Sequence, residues 1–172
     1  MKFVKTIAVI AVMVSTAQLA AAQTPLAVGP SAAAGGQSPE EAAKEQQKRD
    51  QLRIAVQEIC PVSGEKLGSM GAPIKVKVGE ETIFMCCKGC LKQKIKPEHW
   101  GTIHANCARA QGICPVMKNE LPKKPKWTIV EGQIVYVCCP PCTKKINAKP
   151  QEYLRAVDQL YAASLDAKKK VR

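Results

Sequence analysis

The chain has 172 residues, a formal charge of +12 and nine cysteines, but only two Phe, two Trp and three Tyr. So few large aromatics argue against one extensive core and for small units tied together by cysteine chemistry. No Ser–His–Asp arrangement, phosphate-binding glycine loop or paired-carboxylate site is visible, so enzyme chemistry is not expected.

The chain opens with Lys2 and Lys5, continues with the apolar run Thr6 to Val14, and reaches Ala20-Ala21-Ala22 before Gln23. A positive segment, a short apolar run and an A-x-A site predict a signal peptide over 1–22 and export to the periplasm or beyond. The run is too short for a permanent anchor, and no cysteine at the cleavage point suggests a lipoprotein. Processing removes Lys2 and Lys5 and lowers the charge from +12 to +10. Such a charge suits either a solvated lysine-rich surface or contact with anionic envelope polymers and lipid headgroups. Export separates the protein from the genome, so nucleic acid is not an expected partner.

Residues 23–37, rich in Pro, Ala, Gly and Ser, read as a flexible linker. A helix is predicted over 38–58, ending near Ile59. Ser38 can cap it, Pro39 suits its first position, and Glu41 completes a capping box. Leu52, Val56 and Ile59 form its apolar face, while its first half is polar all round and should project into solvent.

The remainder is a duplication, with copy one at 59–112 and copy two at 113–165. Ile59-Cys60-Pro61-Val62 recurs as Ile113-Cys114-Pro115-Val116. Phe84-Met85-Cys86-Cys87-Lys88-Gly89-Cys90 recurs as Tyr136-Val137-Cys138-Cys139-Pro140-Pro141-Cys142. Ile74, Val76 and Val78 alternate with Lys75 and Lys77, the period of a half-buried strand. Gly79-Glu80-Glu81 is the expected turn, and Thr82 to Met85 the return strand. Copy two repeats the pattern with Trp127 to Val130, a turn at Glu131-Gly132-Gln133, and Ile134 to Val137. Short helical turns are expected at Leu91 to Ile95 and Thr143 to Ile146. Trp100, Ile103, Cys107 and Ala110 then stripe a connecting helix that Gly112 can end. Leu154, Val157, Tyr161 and Leu165 stripe the last helix, with 166–172 a basic tail expected to fray over Lys168 to Arg172. The predicted fold is α+β: two small cysteine-rich ββα modules joined and flanked by amphipathic helices.

Eight cysteines fall into two sets of four: Cys60, Cys86, Cys87, Cys90, and Cys114, Cys138, Cys139, Cys142. A hairpin end followed by a tight turn can aim two sulfurs at one point, and the hairpin returns the distant Cys-Pro sulfur to the same place. Thiolates are soft ligands, so Zn(II) or Cu(I) is the expected ion. Zinc favours four sulfurs in each site. Three could suffice for Cu(I), leaving Cys87 and Cys139 to pass the ion onward.

The spacing of Cys60, Cys86 and Cys90, repeated in Cys114, Cys138 and Cys142, resembles TRASH-type, YHS-like heavy-metal-binding domains. The resemblance spans about residues 59–100 and 113–155 and implies treble-clef-like modules in a metal-handling or metal-sensing protein. It also implies those six cysteines as ligands. The gaps of 25 and 23 residues after Cys60 and Cys114 are slightly long for that family, and Cys87 and Cys139 are extra.

Two other readings of the cysteines stand. In an oxidising compartment the eight could form four disulfides, although vicinal pairs fit such a framework poorly. Cys87-x-x-Cys90 and Cys139-x-x-Cys142 also have the spacing of thiol–disulfide enzymes, but no thioredoxin-like context surrounds them. Cys107 has no counterpart in copy two and reads as a small core residue. His99 and His104 read as surface histidines, either of which could supply a fourth ligand to copy one. Met70, Met85 and Met117 could assist Cu(I), although Met85 aligns with Val137 and reads as hairpin packing.

Overall fold

The computed structural model describes residues 38–171. The expected signal peptide at 1–22 and linker at 23–37 lie outside the described residues, as does Arg172. The described chain is α+β, with four α-helices and two separate two-stranded antiparallel sheets.

Helix α1 spans Pro39–Gln57 and starts on the expected capping box. Glu41 donates its N–H to Ser38 Oγ at 3.3 Å, and Ser38 donates its own to Glu41 Oε2 at 3.0 Å. The first half is largely exposed, while Val56 is buried and Leu52 half-buried. The helix stops at Gln57 instead of continuing to Ile59, because Glu58 turns into left-handed backbone with φ 66°. Ile59 then pairs with Lys66 in an isolated β-bridge.

Strands β1 (Ile74–Val78) and β2 (Glu81–Met85) form the first hairpin; β3 (Lys126–Val130) and β4 (Gln133–Val137) form the second. Val78 faces Glu81 and Val130 faces Gln133, so each turn has two residues. Glu81 and Gln133, expected in the turns, instead open the return strands, and both are buried. Left-handed φ values at Gly79 (61°), Glu131 (50°) and Gly132 (78°) give the tight turns that match strand twist. In β1 the lysines are exposed and the aliphatic residues half-buried, as the alternation predicts. Strand β4 is buried along its whole length.

The helical turn after each hairpin begins earlier than expected and includes the last cysteine. In copy one it is a 3-10 helix, Lys88–Lys92; in copy two it is α3, Pro140–Ala148. Pro140 and Pro141 are pre-set for a first helical turn, whereas Lys88-Gly89 is not, which accounts for the tighter and shorter element in copy one.

Helix α2 (Pro97–Gln111) joins the copies, and α4 (Pro150–Lys170) closes the chain. The expected stripes face inward: Ile103 and Ala110 on α2, and Leu154, Val157 and Tyr161 on α4, are buried. Helices α1, α2 and α4 pack on one another. Two apolar clusters result, one around the first hairpin and one around the second with α3 and α4. The copies also meet through the chain: Thr82 N–H donates to the Gly132 carbonyl at 2.7 Å. Arg49 Nε lies 3.3 Å from the Asp158 carboxylate.

The basic tail is not frayed up to Lys170. Helix α4 continues through Lys168, Lys169 and Lys170, whose charges favour the negative end of the helix dipole. Lys168 Nζ also reaches Glu58 Oε1 at 2.6 Å. No helix among the described residues is long and apolar enough to cross a membrane.

Candidate metal centres

Each copy builds its cluster from three pieces of chain. The first is a knuckle at the Cys-Pro step. Cys60 N–H donates to the Glu65 carbonyl at 2.8 Å, and Gly64 N–H to the Cys60 carbonyl at 2.9 Å. Copy two repeats both bonds at 2.8 Å, from Cys114 to Asn119 and from Lys118 to Cys114. The fifth residue of the knuckle is left-handed in both, Gly64 at φ 77° and Lys118 at φ 56°. The second piece is the hairpin end, which delivers Cys86 or Cys138. The third is the helical turn, which carries Cys90 or Cys142 back toward the same point.

Three sulfurs converge in each copy. Cys60, Cys86 and Cys90 have all their Sγ atoms within 4.8 Å of one another, and so do Cys114, Cys138 and Cys142. Cys86 and Cys90 are 3.5 Å apart; Cys142 is 3.9 Å from both Cys114 and Cys138. Sulfurs bound about 2.3 Å from one tetrahedral ion lie about 3.8 Å from each other, so these triads have the donor type and spacing for a soft metal. Cys60 and Cys114 are wholly buried.

Cys87 and Cys139 stand at the rim, outside the mutually close triads and half-buried. Cys87 Sγ is 3.7 Å from Cys90 Sγ. Cys139 Sγ is 3.2 Å from Cys142 and 3.7 Å from Cys138. The chain turns sharply after the first cysteine, bringing the second close to one of the three converging sulfurs in copy one and to two in copy two. All nine cysteines are free. Even the 3.2 Å pair lies well beyond the ~2.05 Å of a disulfide, because the chain gathers sulfurs around a point instead of pairing them. The four-disulfide framework weighed from the sequence is therefore not the arrangement found.

The electrostatics of the copies match. Burial pushes the Cys60 thiol up, but N–H donors of Ser63, Cys86 and Val62 and the Ser63 hydroxyl outweigh it and bring it down to about 6. Cys114 is likewise lowered, against burial, by N–H groups of Cys138, Met117 and Val116. Burial, with the neighbouring thiols, pushes Cys90 up to about 12 and raises Cys142 in the same way. At the rim, the Cys90 N–H lowers Cys87, and the Cys142 thiol lowers Cys139. Each cluster thus pairs a knuckle sulfur of lowered proton affinity with a helical-turn sulfur of raised proton affinity.

The other candidate residues take different places. Cys107 packs at the edge of the second apolar cluster, as expected, and burial pushes its thiol up to about 12. His99 lies over the first knuckle, where a Cβ on Gly64 would come within 2.7 Å of its Nε2. His104 is not a surface histidine. It is half-buried between the copies, its Nδ1 3.1 Å from Tyr136 Oη and its Nε2 3.3 Å from the Glu81 carboxylate. Met85 is buried in its hairpin, while Met70 and Met117 are exposed.

The sequence reading passed over Gln57 and Gln111, both buried and both hydrogen-bonded to the hairpins. A signal for them was present, since the repeated string begins two residues before Ile-Cys-Pro-Val, as Gln-x-Ile-Cys-Pro-Val. No family model matches the chain, and no curated protein or solved structure is significantly similar to it.

Proposed function

We propose that this is an exported protein that binds soft metal ions, Zn(II) or Cu(I), one at each of its two cysteine clusters. In this role it would buffer, carry or sense metal in the cell envelope. The observation that carries the reading is the convergence of three sulfurs on one point, built twice by the same knuckle, hairpin and helical turn. A single such cluster could be incidental packing of small apolar residues. Two, from stretches whose intervening sequences differ, indicate a retained use for the sulfurs. The arrangement of knuckle, hairpin and helical turn also favours the treble-clef-like, TRASH-type reading of the modules.

In this account Cys60, Cys86 and Cys90, and Cys114, Cys138 and Cys142, hold the ion. Cys87 and Cys139 close each site from the rim. A soft cation would supply the positive charge that lets Cys90 and Cys142 ionise. The knuckle N–H groups lower the proton affinity of Cys60 and Cys114, which favours the thiolate form a soft ion binds. The signal segment and the lysine-rich surface support a place in the envelope, where anionic polymers or a metal-handling protein would be neighbours.

Anaerobic titration of the reduced protein tests the reading. Two equivalents of Zn(II) or Cu(I) should bind, in competition with a chelator, and protect the site thiols from alkylation. Thiols alkylated at the same rate with and without metal would refute it. Catalytic insulin reduction that disappears in Cys87→Ser or Cys139→Ser would establish thiol–disulfide chemistry instead.

A further inference from the structure

Gln57 and Gln111 are the last residues of α1 and α2, and each makes the same three hydrogen bonds. Gln57 donates its side-chain amide to the carbonyls of Ile59 at 2.9 Å and Phe84 at 2.7 Å, while its Oε1 accepts the Phe84 N–H at 2.9 Å. Gln111 donates to Ile113 at 3.0 Å and Tyr136 at 2.7 Å, and accepts the Tyr136 N–H at 2.9 Å. In a hairpin with a two-residue turn, alternate residues turn both backbone polar groups away from the partner strand. Counting from Glu81 and Gln133 places Phe84 and Tyr136 at such positions. One glutamine amide therefore pairs with the open edge of the strand as a neighbouring strand would.

The placement matters because of what these backbones carry. Ile59 and Ile113 directly precede the knuckle cysteines, and Phe84 and Tyr136 lie two residues before the hairpin cysteines. A single planar amide ties both segments of each site together from within the core, at 4% and 2% exposure. It sets the distance between knuckle and hairpin without touching a sulfur. From this geometry we propose that Gln57 and Gln111 are the positioning residues of the two metal sites, a claim that rests on the metal-binding reading. A buried amide used only for stability would have no reason to bridge the two ligand-bearing segments in both copies.

The test uses the mature chain, with Cd(II) as a soft probe whose NMR resonance reports each site separately. Gln57→Leu keeps the volume but loses all three bonds, and Gln57→Glu turns the donor into an acceptor facing two carbonyls. Both should still bind two Cd(II), one of them weakened about 10- to 100-fold with a shifted resonance, and the other unchanged. Gln111→Leu should do the same at the second site. Ile83→Val, or Ile83→Ala if a larger effect is needed, serves as a core variant matched to Gln57→Leu in metal-free denaturation midpoint. It should leave both resonances and affinities near wild type. The proposal is overturned if Gln57→Leu and Gln57→Glu behave as the matched core variant does. If the wild-type chain itself takes up no Cd(II), the metal reading fails and the positioning role falls with it.

Discussion

Cys60 and Cys114 are the sulfurs on which each cluster depends. They alone combine full burial, backbone N–H donors and a lowered proton affinity. Replacing either with serine should remove about one of two bound metal equivalents, read by elemental analysis after chelator washing. Cys87→Ser should weaken binding less than Cys90→Ser, because Cys87 lies at the rim and Cys90 within the triad. Equal losses would place Cys87 inside the coordination sphere from the outset. Cys107 belongs to packing, so Cys107→Ala should leave the stoichiometry unchanged. With its thiol raised to about 12, Cys107 should, like Cys90 and Cys142, be alkylated slowly at pH 8 in the folded protein, while Cys87 and Cys139 react early. Rapid labelling of Cys107, followed by mass spectrometry, would show that its enclosure is wrong.

At the level of elements, the two hairpins are joined by one backbone hydrogen bond, from Thr82 to the left-handed Gly132. A Cβ at Gly132 would collide with the Thr82 side chain as well as strain the turn. Gly132→Ala should therefore cost about 1–3 kcal/mol of stability in chemical denaturation, with metal stoichiometry retained. A neutral effect would mean that this contact between the hairpins is not formed. Much of this level was legible in the residues themselves. The Ser38–Glu41 box, the Ile-Lys-Val-Lys-Val alternation and the helix stripes all depend on local periodicity or local capping, which the sequence carries directly. Errors fell where tertiary contacts decide. Glu81 and Gln133 look like turn residues but are buried strand starts, because the turns need only two residues. His104 looks like a surface residue until Glu81 and Tyr136 arrive from different copies. The convergence of three sulfurs was readable from spacing. The repeated Gln-x-Ile-Cys-Pro-Val string marks the two glutamines, but their contacts were not readable, because the strand each one bonds is distant in sequence.

Across the whole molecule, Cys107, Tyr136 and Tyr161 gather where the two copies meet. Burial, foremost, raises the proton affinity of all three. In the unfolded chain these groups lose their protons from about pH 8.5 to 10, whereas the folded protein keeps them. Above that range the native state holds more protons than the unfolded state, so stability must fall as pH rises. The denaturant midpoint should drop between pH 9 and 11, less steeply in Cys107→Ala; a midpoint that rises with pH would contradict the buried junction. Both clusters lie in one compact body of the described residues 38–171, so two ions should bind one folded unit and raise its stability together. Native mass spectrometry of the protein purified anaerobically from its own compartment addresses the central claim most directly. The account predicts a chain carrying two soft metal ions, with all nine cysteines reduced once the metal is stripped. A metal-free chain eight mass units lighter, holding four disulfides, would contradict it.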